Sequence, residues 1–212
     1  MDIQERLTAF AMLGAEWVMW LLVGLSIICV AIILERAYVF FASRDDARAL
    51  QNAMRKHLDG DDVSAATKEL GASNSFEARI AIAALEMAPS GADAVEERLA
   101  GERAVAKSEM EKNLAFLGTV GNNAPFVGLL GTVIGIIQAF QALNESQGQV
   151  TTGLMATVGE ALVATAIGIL VALPSVAAYN FYQRLIKSRL VWADALGSDV
   201  LAHLRADGKK AD

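Results

Sequence analysis

Three stretches of this chain, residues 17 to 34, 113 to 144 and 161 to 183, contain no Asp, Glu, Lys or Arg. Charge is common elsewhere, since the 212 residues hold 18 Lys and Arg and 24 Asp and Glu, all outside these windows. Each window meets the roughly 18 to 20 apolar residues needed to cross a hydrocarbon core about 30 Å thick. The expected architecture is an all-α membrane protein with three transmembrane helices, which leaves no room for a soluble enzyme.

The remaining composition closes other routes. Cys29 is the single cysteine and lies inside the first apolar window, so no intrachain disulfide forms. His57 and His203 are far apart in charged segments, a spacing unlike that of a zinc site, and no metal or other cofactor is expected. A net charge of −6 supplies no basic stripe to neutralise phosphates, so nucleic acid is not expected as a partner. The opening residues MDIQERLTAF lack a basic n-region and the apolar stretch after them is too long for a cleaved signal, so the first span is read as retained.

Lys and Arg near the spans set orientation. Only Arg6 precedes the first span, and none lies in the short connection 144–152, whereas residues 42–112 carry ten and Arg184, Lys187 and Arg189 follow the third span. The expected order is a periplasmic amphipathic segment 1–15, a first transmembrane helix 16–41, a cytoplasmic helical region 42–112 and a second transmembrane helix 113–143. A periplasmic loop 144–152, a third transmembrane helix 153–183 and a cytoplasmic C-terminal helix and tail 184–212 complete it.

The long cytoplasmic region reads as helical rather than as a linker. Its segment 44–58 is amphipathic and stops at Asp59-Gly60, a second helix covers 62–70 before Gly71, and a third starts at a Ser75 cap and ends before Pro89. From Ala92 to Asn144 no proline intervenes before Pro125. If continuous, a helix over that range is on the order of 78 Å long at 1.5 Å per residue, and carries the second span well into the cytoplasm. The third helix is expected to continue to about Leu204, with 205–212 frayed.

Small residues form a seam along the second span: Gly118, Gly121, Pro125, Gly128, Thr132, Gly135, Ala139 and Ala142, at alternating spacings of three and four. Ala161, Thr165, Gly168, Ala172 and Ser175 repeat the device in the third. Within lipid, helices associate by close backbone approach through small residues. Two readings follow: the seams pack one chain's own hairpin, or they also serve neighbouring subunits, and the number of small residues favours the second.

Glu160 is the one Asp, Glu, Lys or Arg inside the paired second and third spans. Counting back about 20 residues from Tyr179, Tyr182 and Arg184 puts it near the outer end of the hydrocarbon layer. A carboxylate costs about 2.5 to 3.5 kcal/mol at a helix centre and less toward the interface. Either it snorkels into headgroups or it faces a polar interior and takes part in ion movement. Thr132 and Thr165 either bond back to their own helix carbonyls or serve the same path. Glu160 and Thr165 are about 140° apart around a helix, so one face does not hold both.

The stretch APFVGLLGTVIGIIQAF (124–140) followed by GEALVATAIGILVALPSVAAYNFY (159–182) resembles the MotA/TolQ/ExbB proton channel family, in particular its ExbB/TolQ branch. The resemblance covers residues 113–190; the first span and the cytoplasmic region agree in order and orientation. It implies a motor stator subunit of the bacterial inner membrane rather than an enzyme, one that converts proton motive force into mechanical work on the cell envelope. It further implies a homo-oligomeric ring, typically a pentamer, around two copies of an ExbD/TolR-like single-span protein whose membrane aspartate carries the proton. A TonB-like or other envelope-spanning effector would take up the work. Matched residue by residue, the family's third-span glutamate falls on Glu160, its third-span threonine on Thr165 and its second-span threonine on Thr132, the residues lining the proton path. TonB-type outer-membrane transport, a Tol-Pal motor and gliding motility all stay open as the driven process. The alternative from another class is a passive membrane scaffold that organises partners through its cytoplasmic helices, for which Glu160 is dispensable.

Overall fold

The computed structural model describes Gly14 and residues 16–211, with side chains as far as Ala206. The N-terminal segment 1–15 expected to be periplasmic lies, apart from Gly14, outside the described residues. Among those residues the protein is all-α: α1 (Glu16–Ala42), α2 (Ala47–Leu58), α3 (Val63–Leu70), α4 (Phe76–Met87), a 3-10 turn (Ala88–Ser90), α5 (Ala92–Glu111), α6 (Leu114–Glu145) and α7 (Thr152–Ala211). α1, α6 and α7 are long and apolar enough to cross a membrane. Their most apolar windows are only 17%, 28% and 33% buried within the chain, so most of that surface is left for lipid or other chains.

Two compact units form. The first combines the chain up to Leu34 with Asn113–Asn180 and the second combines Glu35–Lys112 with Phe181 onward. In the second unit, local chemistry sets the helix starts. Asp46 accepts from the amides of Arg48 and Ala49, Asp62 from Ala65 and Ser75 from Ala78, each satisfying donors that a helix N-terminus leaves open. The short helices bury one face each in a common core of Met54, Leu58, Leu70, Leu85, Val95 and Leu196. Burial of a side chain of this size contributes roughly 1.5 to 3 kcal/mol.

Arginines tie off the helix ends in this unit. Arg36, buried and paired with its neighbour Glu35, donates from Nη1 to the carbonyl of Glu109 at 3.0 Å near the end of α5. Arg189 of α7 is buried too, and its Nη2 donates to the carbonyl of Phe40 at 3.0 Å. Its Nη1 donates to the carbonyl and hydroxyl of Ser43 at 3.1 and 2.8 Å. These are the last carbonyls of α1, where a cation also meets the negative end of the helix dipole. Glu77 lies 3.8 Å from Arg189, and its Oε2 is buried without a hydrogen-bond partner among the described residues. Burial raises the Glu77 carboxyl above the ordinary range despite the Arg189 charge, and burial lowers Arg189.

Two expectations are corrected. The helix from Ala92 is not continuous: Lys112 turns extended at ψ 130° and Asn113 takes a left-handed conformation at φ 64°, so α5 ends and α6 starts anew. Asparagine tolerates this conformation better than most residues, so the break needs neither glycine nor proline. The helix holding the second apolar window therefore begins at Leu114 instead of continuing α5. At the other end, α7 continues past Leu204 to Ala211, and Arg205 bonds Glu96 of α5 at 2.8 Å, fastening the turn expected to fray.

Candidate functional site

α6 and α7 are antiparallel within the first unit, and their glycines let the backbones touch. A methyl added at Gly128 would lie 2.7 Å from the carbonyl oxygen of Ala164 and 2.9 Å from the Cα of Thr165. At Gly168 it would lie 2.7 Å from the carbonyl oxygen of Ala124, and at Gly121 it would meet Val176 at 2.5 Å. Gly135 faces Ala161 and Gly118 faces the ring of Tyr179 at 3.4 Å. Pro125 is half-buried in the same row.

The seam is thus filled inside one chain by its own hairpin. Gly128 and Gly135 meet the small third-span residues Ala164, Thr165 and Ala161, whereas Gly121 and Gly118 meet Val176 and Tyr179. Gly131, absent from the sequence-derived seam, belongs to it, since a methyl there would meet Ala164 at 2.8 Å and Val18 of α1 at 3.2 Å. Its spacing of three from Gly128 was the available signal.

Close approach brings the two threonines together. Thr132 and Thr165 hydroxyls bond each other, Thr132 Oγ1 reaches the carbonyl of Ala161 at 3.0 Å, and Thr165 Oγ1 reaches the carbonyl of Gly128 at 3.1 Å. Thr132 also has its own helix carbonyl, Gly128, at 3.4 Å. Both carbonyl bonds that decide the geometry cross between helices, so these threonines are not simply bonded back to their own turns. Each hydroxyl carries one proton and accepts others. The cluster therefore has more acceptors than protons and holds alternative hydrogen-bond arrangements that differ only by hydroxyl rotation.

Glu160 stands apart from this cluster. It is exposed, it directly precedes Ala161, whose carbonyl Thr132 reaches, and it makes no hydrogen bond or ion pair among the described residues. Thr165 is half-buried against α6 on another side of α7. Around Glu160 the exposed residues of α7 are apolar, with Met155 58%, Leu162 61% and Val163 49% accessible. An acid on an apolar surface of a helix able to cross a membrane needs water, a polar partner or a proton from beyond the described residues.

Residues 72–193 match the model of the MotA/TolQ/ExbB proton channel family, more than half of the chain. The biopolymer transport protein ExbB of Aquifex aeolicus is 40% identical over 94 residues, which is 44% of this chain and 64% of that protein. The Tol-Pal system protein TolQ of Pseudomonas aeruginosa is 45% identical over 92 residues, covering 42% of this chain and 40% of its own length. ExbB of Neisseria gonorrhoeae is 42% identical over 94 residues, again 42% of the relative. The chain spans between 40% and 64% of the length of these relatives. With three membrane-crossing helices and this extent of match, the chain belongs to the MotA/TolQ/ExbB proton channel family, as a multi-pass protein of the inner membrane.

Proposed function

We propose that this chain is the proton-conducting stator subunit of an ExbB/TolQ-type motor, driving work on the cell envelope. It acts as a homo-oligomeric ring, five copies by resemblance, around two single-span partner helices that each bring a membrane aspartate. The ring's N-termini and the 144–152 connection face the periplasm, and residues 42–112 with the C-terminus face the cytoplasm. Glu160 is the titrating group contributed by the ring. Thr132 and Thr165 extend the polar path by hydroxyl rotation between their alternative acceptors.

The observation that carries this reading is Glu160 exposed on an apolar face, next to the turn where the helix pair holds its hydroxyl cluster. A chain that used this helix pair only for packing has no need of an acid there, because the glycine seam associates without it. Substituting Glu160→Gln keeps size and polarity and removes titration. At matched protein level in the membrane, energised motor output is expected to fall to background in the variant. Undiminished output would make Glu160 an interfacial carboxylate and would leave a scaffold as the better account.

A further inference from the structure

The end of α1, the start of α2 and residues 181–192 of α7, all within the second unit, line an open cavity of about 970 Å³. Ala37, Phe41, Phe181 and Leu185 supply apolar lining, with Phe41 78% and Phe181 62% exposed. Arg44, Arg48 and Arg189 stand in the same lining as Asp45, Asp46 and Glu77.

Arg44 and Arg48 set this cavity apart. Every other described arginine between Glu35 and Lys112 lies against a carboxylate. Arg44 and Arg48 do not, although both neighbour acids in sequence. Asp46 is used as the cap of α2, and Asp45 accepts from the amide of Asp46 at 2.8 Å. Arg48 has its guanidinium 5.8 Å from the centre of the Trp192 ring, within cation–π reach.

Two guanidinium forks outside any ion pair among the described residues, beside exposed phenylalanines, fit an anion with a hydrocarbon body. Guanidinium groups match phosphate oxygens in bidentate geometry. We propose that the cavity binds the phosphodiester headgroup of a membrane phospholipid, with Arg44 and Arg48 on the phosphate and Phe41 and Phe181 against the start of the acyl chains. The assignment to the cytoplasmic leaflet rests on the orientation proposed above. The site itself does not depend on proton conduction.

Native mass spectrometry of the detergent-extracted full chain tests this, with phosphatidylethanolamine, phosphatidylglycerol or a diacylglycerol of the same acyl chains added at equal concentration. Both phospholipids are expected to be retained at least about tenfold above the diacylglycerol, as charge-assisted bonding to phosphate implies. The double variant Arg44→Gln/Arg48→Gln is expected to remove most of that margin. Arg98→Gln, which breaks an exposed pair with Glu102, is expected to leave it unchanged. Equal retention of diacylglycerol, or wild-type phospholipid retention by the double variant, would overturn the site. Displacement of the lipid by millimolar inorganic phosphate would overturn the lipid as ligand in favour of a free anion. If the double variant is not recovered folded, Arg48→Lys keeps the charge and loses the fork; partial loss supports the proposal and wild-type retention contradicts it.

Discussion

Where Thr132 meets Thr165, two hydroxyl protons have two carbonyl oxygens as destinations, those of Gly128 and Ala161, besides each other's oxygen. Thr132→Val and Thr165→Val each delete one hydroxyl while keeping shape. An interhelical hydrogen bond in lipid contributes about 0.6 kcal/mol on average, so recovery of the assembled protein should change little while proton uptake into vesicles falls several-fold. If the hydroxyls act as one unit, the double variant loses no more flux than the worse single variant. Recovery that collapses in step with flux would make both threonines packing residues. Glu77 gives a second test, outside the membrane. Its carboxyl is raised by burial, so the folded state favours the protonated form. A carboxyl raised in the folded state contributes stability that is complete below its unfolded value, about 4.3, and lost as pH rises through the folded value. Hydrogen exchange of the α4 amides should therefore quicken as pH rises from the ordinary glutamate range, after correction for intrinsic exchange, and Glu77→Gln should flatten that dependence. The groups acting on Glu77 are Arg189, which opposes the shift, and Asp45, which reinforces it. An unchanged pH profile in the variant would mean that Glu77 does not titrate in this range.

The α6 and α7 pair depends on surfaces that have no side chain to compress. Gly128→Ala drives a methyl to 2.7 Å from the Ala164 carbonyl, so the helices must separate or shift. Overpacking of this kind costs about 1 to 3 kcal/mol. By contrast, Gly101 sits inside α5 with nothing within 4 Å of its added methyl. Gly101→Ala should raise stability by about 0.5 to 1 kcal/mol, because alanine loses less backbone freedom in a helix interior. Denaturant midpoints in detergent, wild type against each variant, should move in opposite directions; a neutral Gly128→Ala would contradict the seam geometry. These elements also divide what sequence made legible from what it did not. The Ser75 start, the stop at Asp59 and Gly60 and the end before Pro89 follow from local cap and turn chemistry, so a short window of residues contains the information. The break at Asn113 escaped because asparagine in a left-handed conformation leaves no mark that separates it from asparagine in a helix. Glu160, Thr132 and Thr165 were legible as residues, but the meeting of the two threonines was not, since it depends on the register of helices 33 residues apart in sequence. Arg189 read only as an orienting charge, and its closure of the α1 carbonyls is a contact across 146 and 149 residues.

One copy of this protein leaves its membrane faces uncovered. With the glycine seam used internally, what faces outward is the surface bearing Phe126, Val133, Phe140, Leu162 and Leu170 on α6 and α7. Glu160 is exposed among such residues of α7, and the proposed ring with partner helices in its interior would give it water and a second titratable group while the apolar remainder meets lipid or adjacent copies. The passive scaffold differs from this motor in one respect that can be read without knowing the driven process: it conducts no protons. The deciding measurement is proton uptake by vesicles carrying the assembled complex with the proposed single-span partner, under an imposed membrane potential, for wild type and Glu160→Gln at equal complex recovery. The proton-channel account gives uptake in the wild type and a loss of about tenfold or more in the variant, the scale on which a positioned acid or base contributes about 10²-fold to 10⁴-fold to proton transfer. Equal uptake in the two would contradict it.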